Sequence, residues 1–211
     1  MKINEIFKSI QGESSYAGLP FIFVRFTGCN LRCTYCDTTY AYEEGFEISE
    51  EKLLDRIKSH GIKSVEITGG EPLLQEEVYG LTDSLIRDEY TVLLETNGTL
   101  DISRLNKKVI KILDIKCLGS GESDKTRWEN LDKLKREDEI KIVIMNKEDY
   151  EWTKWISNKF SLAERFTVNL SPAHNHLQPD KLAEWILKDD LNVRLNLQLH
   201  KYIWKNVKRG A

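Results

Sequence analysis

The chain lacks any apolar run approaching the roughly 20 residues that a helix needs to cross a bilayer. Its N-terminus, MKINEIFKSIQGES, carries acidic and polar residues where a secretory leader needs an apolar stretch. Both absences point to a cytoplasmic protein with no membrane partner. There is no basic excess either: the net charge of −3 argues against nucleic acid as the main partner, because phosphate binding draws on a basic surface. The locally basic HKYIWKNVKRGA reads as a solvated face. An evenly spread disulfide framework is also missing, since three of the four cysteines crowd between positions 29 and 36 and the fourth stands at Cys117. Low-complexity segments, long linkers and internal repeats are absent. What remains is one domain of 211 residues, 40% hydrophobic and 31% charged, an ordinary globular composition.

Within that frame, strand-like and helix-like stretches alternate. Runs rich in Val, Ile, Leu and Phe occur at 21–28, 64–70, 91–98, 109–116, 139–146, 166–171 and 193–200. Several are apolar on successive residues, as strands covered on both faces are. Between them, 49–61 has a Ser cap, an acidic first turn and a terminal Gly, and 73–89, 147–160 and 179–189 continue the helical series. Repeated strand-then-helix order implies parallel pairing with right-handed crossovers. The expected fold is α/β, a single-domain, incomplete TIM-like β/α barrel, because a closed eightfold barrel takes about 250 residues.

In such a fold the C-terminal ends of the strands converge on one site. The cysteines follow the strand at 21–28, TGGEP ends the next, ETNGT the third, DIK (114–116) the fourth, NLSP (169–172) the sixth and QLHK (198–201) the last. Each motif alone could merely end a strand. The spacing C-x3-C-x2-C of Cys29, Cys33 and Cys36 turns three sulfurs toward one centre. A structural zinc needs four ligands, and no second knuckle is present, although Cys117, His174, His176 or His200 could complete one. Three thiolates equally suit a cubane iron-sulfur cluster with one iron left open for a small molecule.

C-x3-C-x2-C with Tyr35 before its final cysteine, followed by GGEP, resembles the radical S-adenosylmethionine enzymes. In that superfamily the three cysteines hold a 4Fe-4S cluster whose open iron chelates S-adenosylmethionine. IQGES (10–14), FVRFTGCNLRC (23–33), CDT (36–38), TGGEPLLQ (68–75), ETNGT (95–99) and QLHKYIW (198–204) extend the likeness to the 7-carboxy-7-deazaguanine synthase family. The resemblance implies a radical S-adenosylmethionine core over residues 1–211, with a short N-terminal substrate-binding segment and a C-terminal closing tail. It also implies conversion of 6-carboxy-5,6,7,8-tetrahydropterin to 7-carboxy-7-deazaguanine with loss of ammonia, in queuosine-type biosynthesis. A homodimer and a flavodoxin-like reductant are implied as partners.

Carried onto this sequence, the resemblance implies that Tyr35, Cys36, Asp37, Gly69, Gly70, Glu71 and Pro72 contact S-adenosylmethionine. In that set the glycines permit close backbone approach and Glu71 is a charge partner for the methionyl amine. Asn97, Asp114, Lys116 and Ser171 are candidates for its adenosine and ribose. The family often has Ser-Pro-Lys where this chain has Asp114-Ile115-Lys116. Ile10, Gln11, Gly12, Glu13, Arg25, Thr68, Gln198, His200 and Lys201 are the implied substrate contacts. Glu13 suits an amino group and ring N–H, and Arg25 a carboxylate or pterin oxygen. Thr38 resembles a Mg2+ ligand, and because a lone hydroxyl binds magnesium poorly, substrate oxygens and water would fill the shell. His174 and His176 read as loop residues, Cys117 as a small core thiol, and Trp152, Trp155 and Trp185 as packing residues. Two other functions compete: an activase of glycyl-radical enzymes, which carry the same cysteine spacing, and a zinc module without catalysis.

Overall fold

In the computed structural model, which describes residues 1–205, 207, 209 and 210, nine strands form one open sheet. In chain order they are β1 (Lys2–Ile10), β2 (Pro20–Phe26), β3 (Phe46–Glu47), β4 (Ser64–Gly69), β5 (Thr91–Thr96), β6 (Ile110–Ile115), β7 (Glu139–Ile144), β8 (Thr167–Pro172) and β9 (Arg194–Leu195). Their spatial order is β3-β1-β2-β4-β5-β6-β7-β8-β9. From β2 onward every neighbouring pair is parallel, while β1 pairs antiparallel with β2 and with β3. The partial barrel expected from sequence is therefore present, bordered by two-residue strands at both edges. β1 is an addition that the sequence does not mark, because KINEIFKSI alternates only in part and its register slips between Ile3 and Glu5.

The helices α1 (Glu50–Ser59), α2 (Glu77–Arg87), α3 (Lys147–Phe160), α4 (Leu162–Arg165), α5 (Pro179–Lys188) and α6 (Leu199–Ile203) intervene. Local chemistry sets their ends. The Ser49 side chain accepts from Lys52 N to start α1, Asn146 accepts from Asp149 N to start α3, and Ser161 at φ 51° ends α3. Side chains pointing outward from the sheet make two apolar clusters under the helices. Val24, Val65, Ile67, Val92 and Leu94 pack with Leu53, Val78, Leu81 and Leu85, and Ile140, Ile142, Val168 and Leu170 pack with Tyr150, Ile156 and Leu182. The alternate positions point into the barrel. Phe21, Phe23, Leu93 and Ile112 pack there with Phe7 and Tyr16, and Phe7 stacks on Phe23 with ring centres 5.1 Å apart.

The expected strand at 193–200 is corrected. Only Arg194 and Leu195 pair, opposite Asn169 and Leu170. After Asn196 N donates to Leu170 O (2.9 Å), the chain leaves the sheet and Gln198 precedes α6. Alternation in VRLNLQLH does not hold the strand, because three residues past Asn196 the Leu199 N–H bonds Gly12 O (3.0 Å) instead. Of the three tryptophans expected to pack, Trp152 and Trp185 lie on the second cluster, but Trp155 is exposed.

At the opposite end of the barrel from the candidate site, Asp138 is fully buried before β7. It accepts from Lys111 N (2.8 Å), Lys135 N (2.8 Å) and Lys111 Nζ (3.1 Å). Asp138→Ala leaves the buried Lys111 ammonium without a counter-charge, held only by the Val109 carbonyl (3.3 Å), which typically costs about 3–5 kcal/mol. The expected result is a lower denaturant midpoint in equilibrium unfolding with an unchanged slope.

Candidate active site

A cavity of about 470 Å³ opens at the C-terminal ends of the parallel strands, within the range of small-molecule sites. Cys29, Cys33 and Cys36 line it, all as free, half-buried thiols. Their loop is pinned from both sides. Gly28, at φ +102°, donates its N–H to Ala41 O (2.8 Å) and accepts from Glu71 N (2.8 Å), while Thr34 N and Oγ1 donate to Ser120 O (3.0 Å) and Gly119 O (2.6 Å). Leu31 N–H already points at Cys29 Sγ (3.4 Å). Burial pushes the Cys33 thiol up to about 11, so it is the metal that must draw the proton off. Among the described residues no three His, Cys, Asp or Glu side chains close on one point, as a single zinc requires. Cysteines of an iron-sulfur cluster bind separate irons, and the loop, its free thiols and its N–H donor fit that group. Cys117 is buried against Thr153 Oγ1 (3.5 Å) and does not line the cavity.

The GGEP segment backs this loop. A Cβ on Gly70 would lie 2.1 Å from Gly28 O and 2.8 Å from Cys29 Cβ, and Gly69 sits at φ +144°. Both glycines line the cavity; Glu71 and Pro72 do not. Glu71 is fully buried, and its carboxylate is filled by Leu73 N (3.0 Å), Thr96 Oγ1 (2.9 and 3.0 Å) and Asn97 N (2.7 Å). Burial raises its carboxyl to about 7 against those donors. Its visible work is to tie the end of β4 to the end of β5 rather than to face a ligand.

Of the adenosine candidates, Asn97, Asp114 and Lys116 line the cavity with Tyr35; Ser171 does not. Lys116 Nζ pairs with Asp114 Oδ2 (2.7 Å) and sits 6.0 Å from the Tyr35 ring centre. Burial opposes its charge, but Asp114 more than compensates and the ammonium is held well above its usual range. Among the described residues, Tyr35 OH, Asp114 Oδ1 and Ser171 Oγ are buried without hydrogen-bond partners. Buried polar atoms are normally satisfied, so the two that line the cavity fit a polar ligand.

Every substrate-contact candidate lines the cavity: Ile10, Gln11, Gly12, Glu13, Arg25, Thr68, Gln198, His200 and Lys201. The loop after β1 is fixed by Gln11 N to Leu19 O (2.8 Å) and by Glu139, whose carboxylate accepts from Ser15 N (3.1 Å) and Asn169 Nδ2 (2.6 Å). α6 then straps across it. Gln198 Nε2 donates to Glu13 Oε1, and Lys201 pairs with Asp37. The Lys201 ammonium overrides partial burial and holds the Asp37 carboxyl well below the usual carboxylate range. The His200 ring lies so close to Gly12 that a Cβ there would be 2.1 Å from Nδ1, and burial lowers the His200 pKa. Arg25 Nε bonds Glu5 Oε1 (2.7 Å), which also accepts from Tyr40 OH (3.0 Å). Thr38 lines the cavity and its hydroxyl donates to Asp37 Oδ1 (2.9 Å), so a hydroxyl and a carboxylate stand together where Mg2+ is expected.

Sequence reasoning missed Glu66, Glu95 and Lys141, which also line the cavity. Lys141 is buried and bridges Glu13 Oε2 and Glu95 Oε1 (2.8 Å). Burial opposes its charge, but Glu13 and then Glu95 raise it well above the ordinary lysine value. Against the upward push of burial, Lys141 lowers the Glu13 pKa. A signal was present: each is a charged residue inside an otherwise apolar strand with covered faces. His174 and His176, read as loop residues, also line the cavity.

Residues 23–146 match the Radical SAM superfamily. The 7-carboxy-7-deazaguanine synthase of Koribacter versatilis is 43% identical over the whole of both chains. That of Chlorobaculum tepidum is 42% identical over all of this chain and 97% of its own. Among solved structures, QueE from Escherichia coli superposes with a TM-score of 0.75 at 26% identity, covering 93% of each chain.

Gly70→Ala is expected to displace the cysteine loop, since neither the Gly28 carbonyl nor Cys29 Cβ can yield without moving backbone. Iron bound after anaerobic reconstitution should fall to less than about half of the wild-type value. The expected accompanying loss of stability is only about 1–3 kcal/mol, the range typical of overpacking.

Proposed function

The chain belongs to the Radical SAM superfamily and, within it, to the 7-carboxy-7-deazaguanine synthases, and from that premise we propose that it converts 6-carboxy-5,6,7,8-tetrahydropterin to 7-carboxy-7-deazaguanine with release of ammonia. The observation that carries this reading is one cavity that holds both the three free thiols and a buried carboxylate frame built on Gln11, Glu13 and Lys141. Cys29, Cys33 and Cys36 would hold the 4Fe-4S cluster, which together with S-adenosylmethionine would supply the radical chemistry for hydrogen abstraction.

This chain's own residues then bind, orient and exclude water. Glu13, kept ionised by Lys141, offers carboxylate oxygens to the amino and ring N–H edge of the pterin. Arg25, anchored through Nε to Glu5, has its remaining guanidinium donors for the substrate carboxylate. Thr38 and Asp37 would contribute oxygen ligands to Mg2+, with substrate and water completing the shell. α6 closes the cavity by its ties to Gly12, Glu13 and Asp37, which keeps stray donors from a reactive radical. A glycyl-radical activase acts on a protein backbone, and nothing in this frame of buried carboxylates serves that purpose. The reductant is proposed to be flavodoxin-like, the assembly a homodimer and the compartment the cytoplasm. No helix among the described residues is long and apolar enough to cross a membrane.

The test is an anaerobic assay of iron-reconstituted protein with dithionite, S-adenosylmethionine, Mg2+ and 6-carboxytetrahydropterin, read by mass spectrometry. Formation of 7-carboxy-7-deazaguanine is expected, with both product and brown colour lost in Cys29→Ala. If 5'-deoxyadenosine accumulates without the deazaguanine, the substrate is wrong. Arg25→Met is expected to raise KM for the pterin by about 10–100-fold, the equivalent of one charge-assisted hydrogen bond of roughly 1.5–3 kcal/mol.

A further inference from the structure

Glu66 lies on β4 between Val65 and Ile67, whose side chains join the outer apolar cluster, so its own side chain points into the barrel. It is 4% exposed and lines the cavity. The charged and titratable groups facing that part of the cavity are Glu13 from the loop after β1, Arg25 from β2, Glu95 from β5, Asp114 from β6, Lys141 from β7 and His200 from α6. The cations are already committed. Lys141 bridges Glu13 and Glu95, Arg25 Nε bonds Glu5, and no ion pair reaches Glu66 among the described residues.

Glu66 instead receives an amide: Gln11 Nε2 donates to its Oε2. The orientation of that amide is fixed, because Gln11 Oε1 accepts from Glu13 N (3.1 Å). Oε2 is therefore an acceptor, and Oε1 makes no hydrogen bond among the described residues. A third carboxylate beside those of Glu13 and Glu95, with a single ammonium among them, is costly to charge in a site shielded from water. Burial, with the Glu95 carboxylate adding to it, pushes the Glu66 carboxyl up to about 8.

We propose that Glu66 serves as a neutral carboxylic acid in the substrate site, donating a hydrogen bond from Oε1 to an acceptor atom of the bound pterin. The inference rests on the substrate reading above and adds a donor beside the acceptor oxygens of Glu13. A carboxyl kept neutral by its surroundings supplies a donor that a carboxylate cannot. Gln11 then has a second role, since it both fixes the Glu13 loop and sets which Glu66 oxygen carries the proton. Below its pKa Glu66 is protonated and donates; as pH rises through about 8 the proton leaves and an anion faces the substrate acceptor.

The experiment measures kcat and KM for 6-carboxytetrahydropterin between about pH 6.5 and 9.5 in the reconstituted wild type, Glu66→Gln and Glu66→Leu. Gln keeps a neutral donor at every pH, whereas Leu has none. The wild-type KM is expected to climb above about pH 8, approaching tenfold per unit, with a smaller change in kcat. The Gln variant should show no such climb, and its KM at neutral pH should lie at least about tenfold below that of the Leu variant. In the apoprotein near neutral pH, a protonated-carboxyl stretch in the wild type minus Glu66→Gln infrared difference is expected, and it is read without cofactor or substrate. Glu66 is not the donor if the Gln profile climbs as the wild type does, if Gln and Leu share one KM, or if the stretch is missing. If the wild type makes no deazaguanine at all, the substrate assignment fails instead; turnover by the wild type with any of those three results overturns the Glu66 inference alone.

Discussion

An ammonium group inside the barrel organises the substrate half of this protein. Lys141 Nζ lies between Glu13 and Glu95 with little water around it, and a buried ion pair is tolerated only with good geometry and further hydrogen bonds. Those bonds spread outward. Glu13 takes Gln198 from just before α6, its backbone N–H is held by Gln11, and Gln11 reaches Glu66 on β4. Strands far apart in the sheet are thus connected through the lumen by charge and amides, while the outer clusters supply the apolar cohesion.

The cofactor half rests on a different constraint, close backbone approach. Gly69 and Gly70 let β4 run against the cysteine loop, and the buried Glu71 carboxylate ties Thr96 and Asn97 of the neighbouring strand end into the same knot. One half is therefore set by long charged side chains and the other by the absence of side chains. Each meets the other at the cavity, where Arg25 and Thr68, paired in register on β2 and β4, stand between them.

How much of this was legible in the sequence follows from the same division. Motifs built from backbone-adjacent residues, such as C-x3-C-x2-C, GGEP and QGE, are contiguous, and the structure brings them to one cavity. Glu66, Glu95 and Lys141 were hidden because each sits in an apolar strand whose partners come from other strands; no local spacing encodes a contact between positions 13 and 141. Glu71 and Ser171 show the reverse. Their motif position was plain, but strand alternation and the pull of neighbouring donors decide which way a side chain turns. The strand expected at 193–200 failed for a related reason: period-two apolarity marks a surface to be covered, and the competing bond to Gly12 lies outside the segment.

An open barrel has borders, and borders are where sheets misbehave. Unpaired strand amides at an edge form a template on which another chain can build, and long flat edges invite aggregation. Here the outermost strand on each side is only two residues long, Phe46–Glu47 beside β1 and Arg194–Leu195 beside β8, and each carries a charged side chain. β3 covers only Lys2 and Ile3 of β1, so positions 4–10 of that strand face no strand on their outer side among the described residues. On that longer border the protection comes from charge, since Glu5 and Lys8 interrupt the apolar residues of β1 along the uncovered stretch.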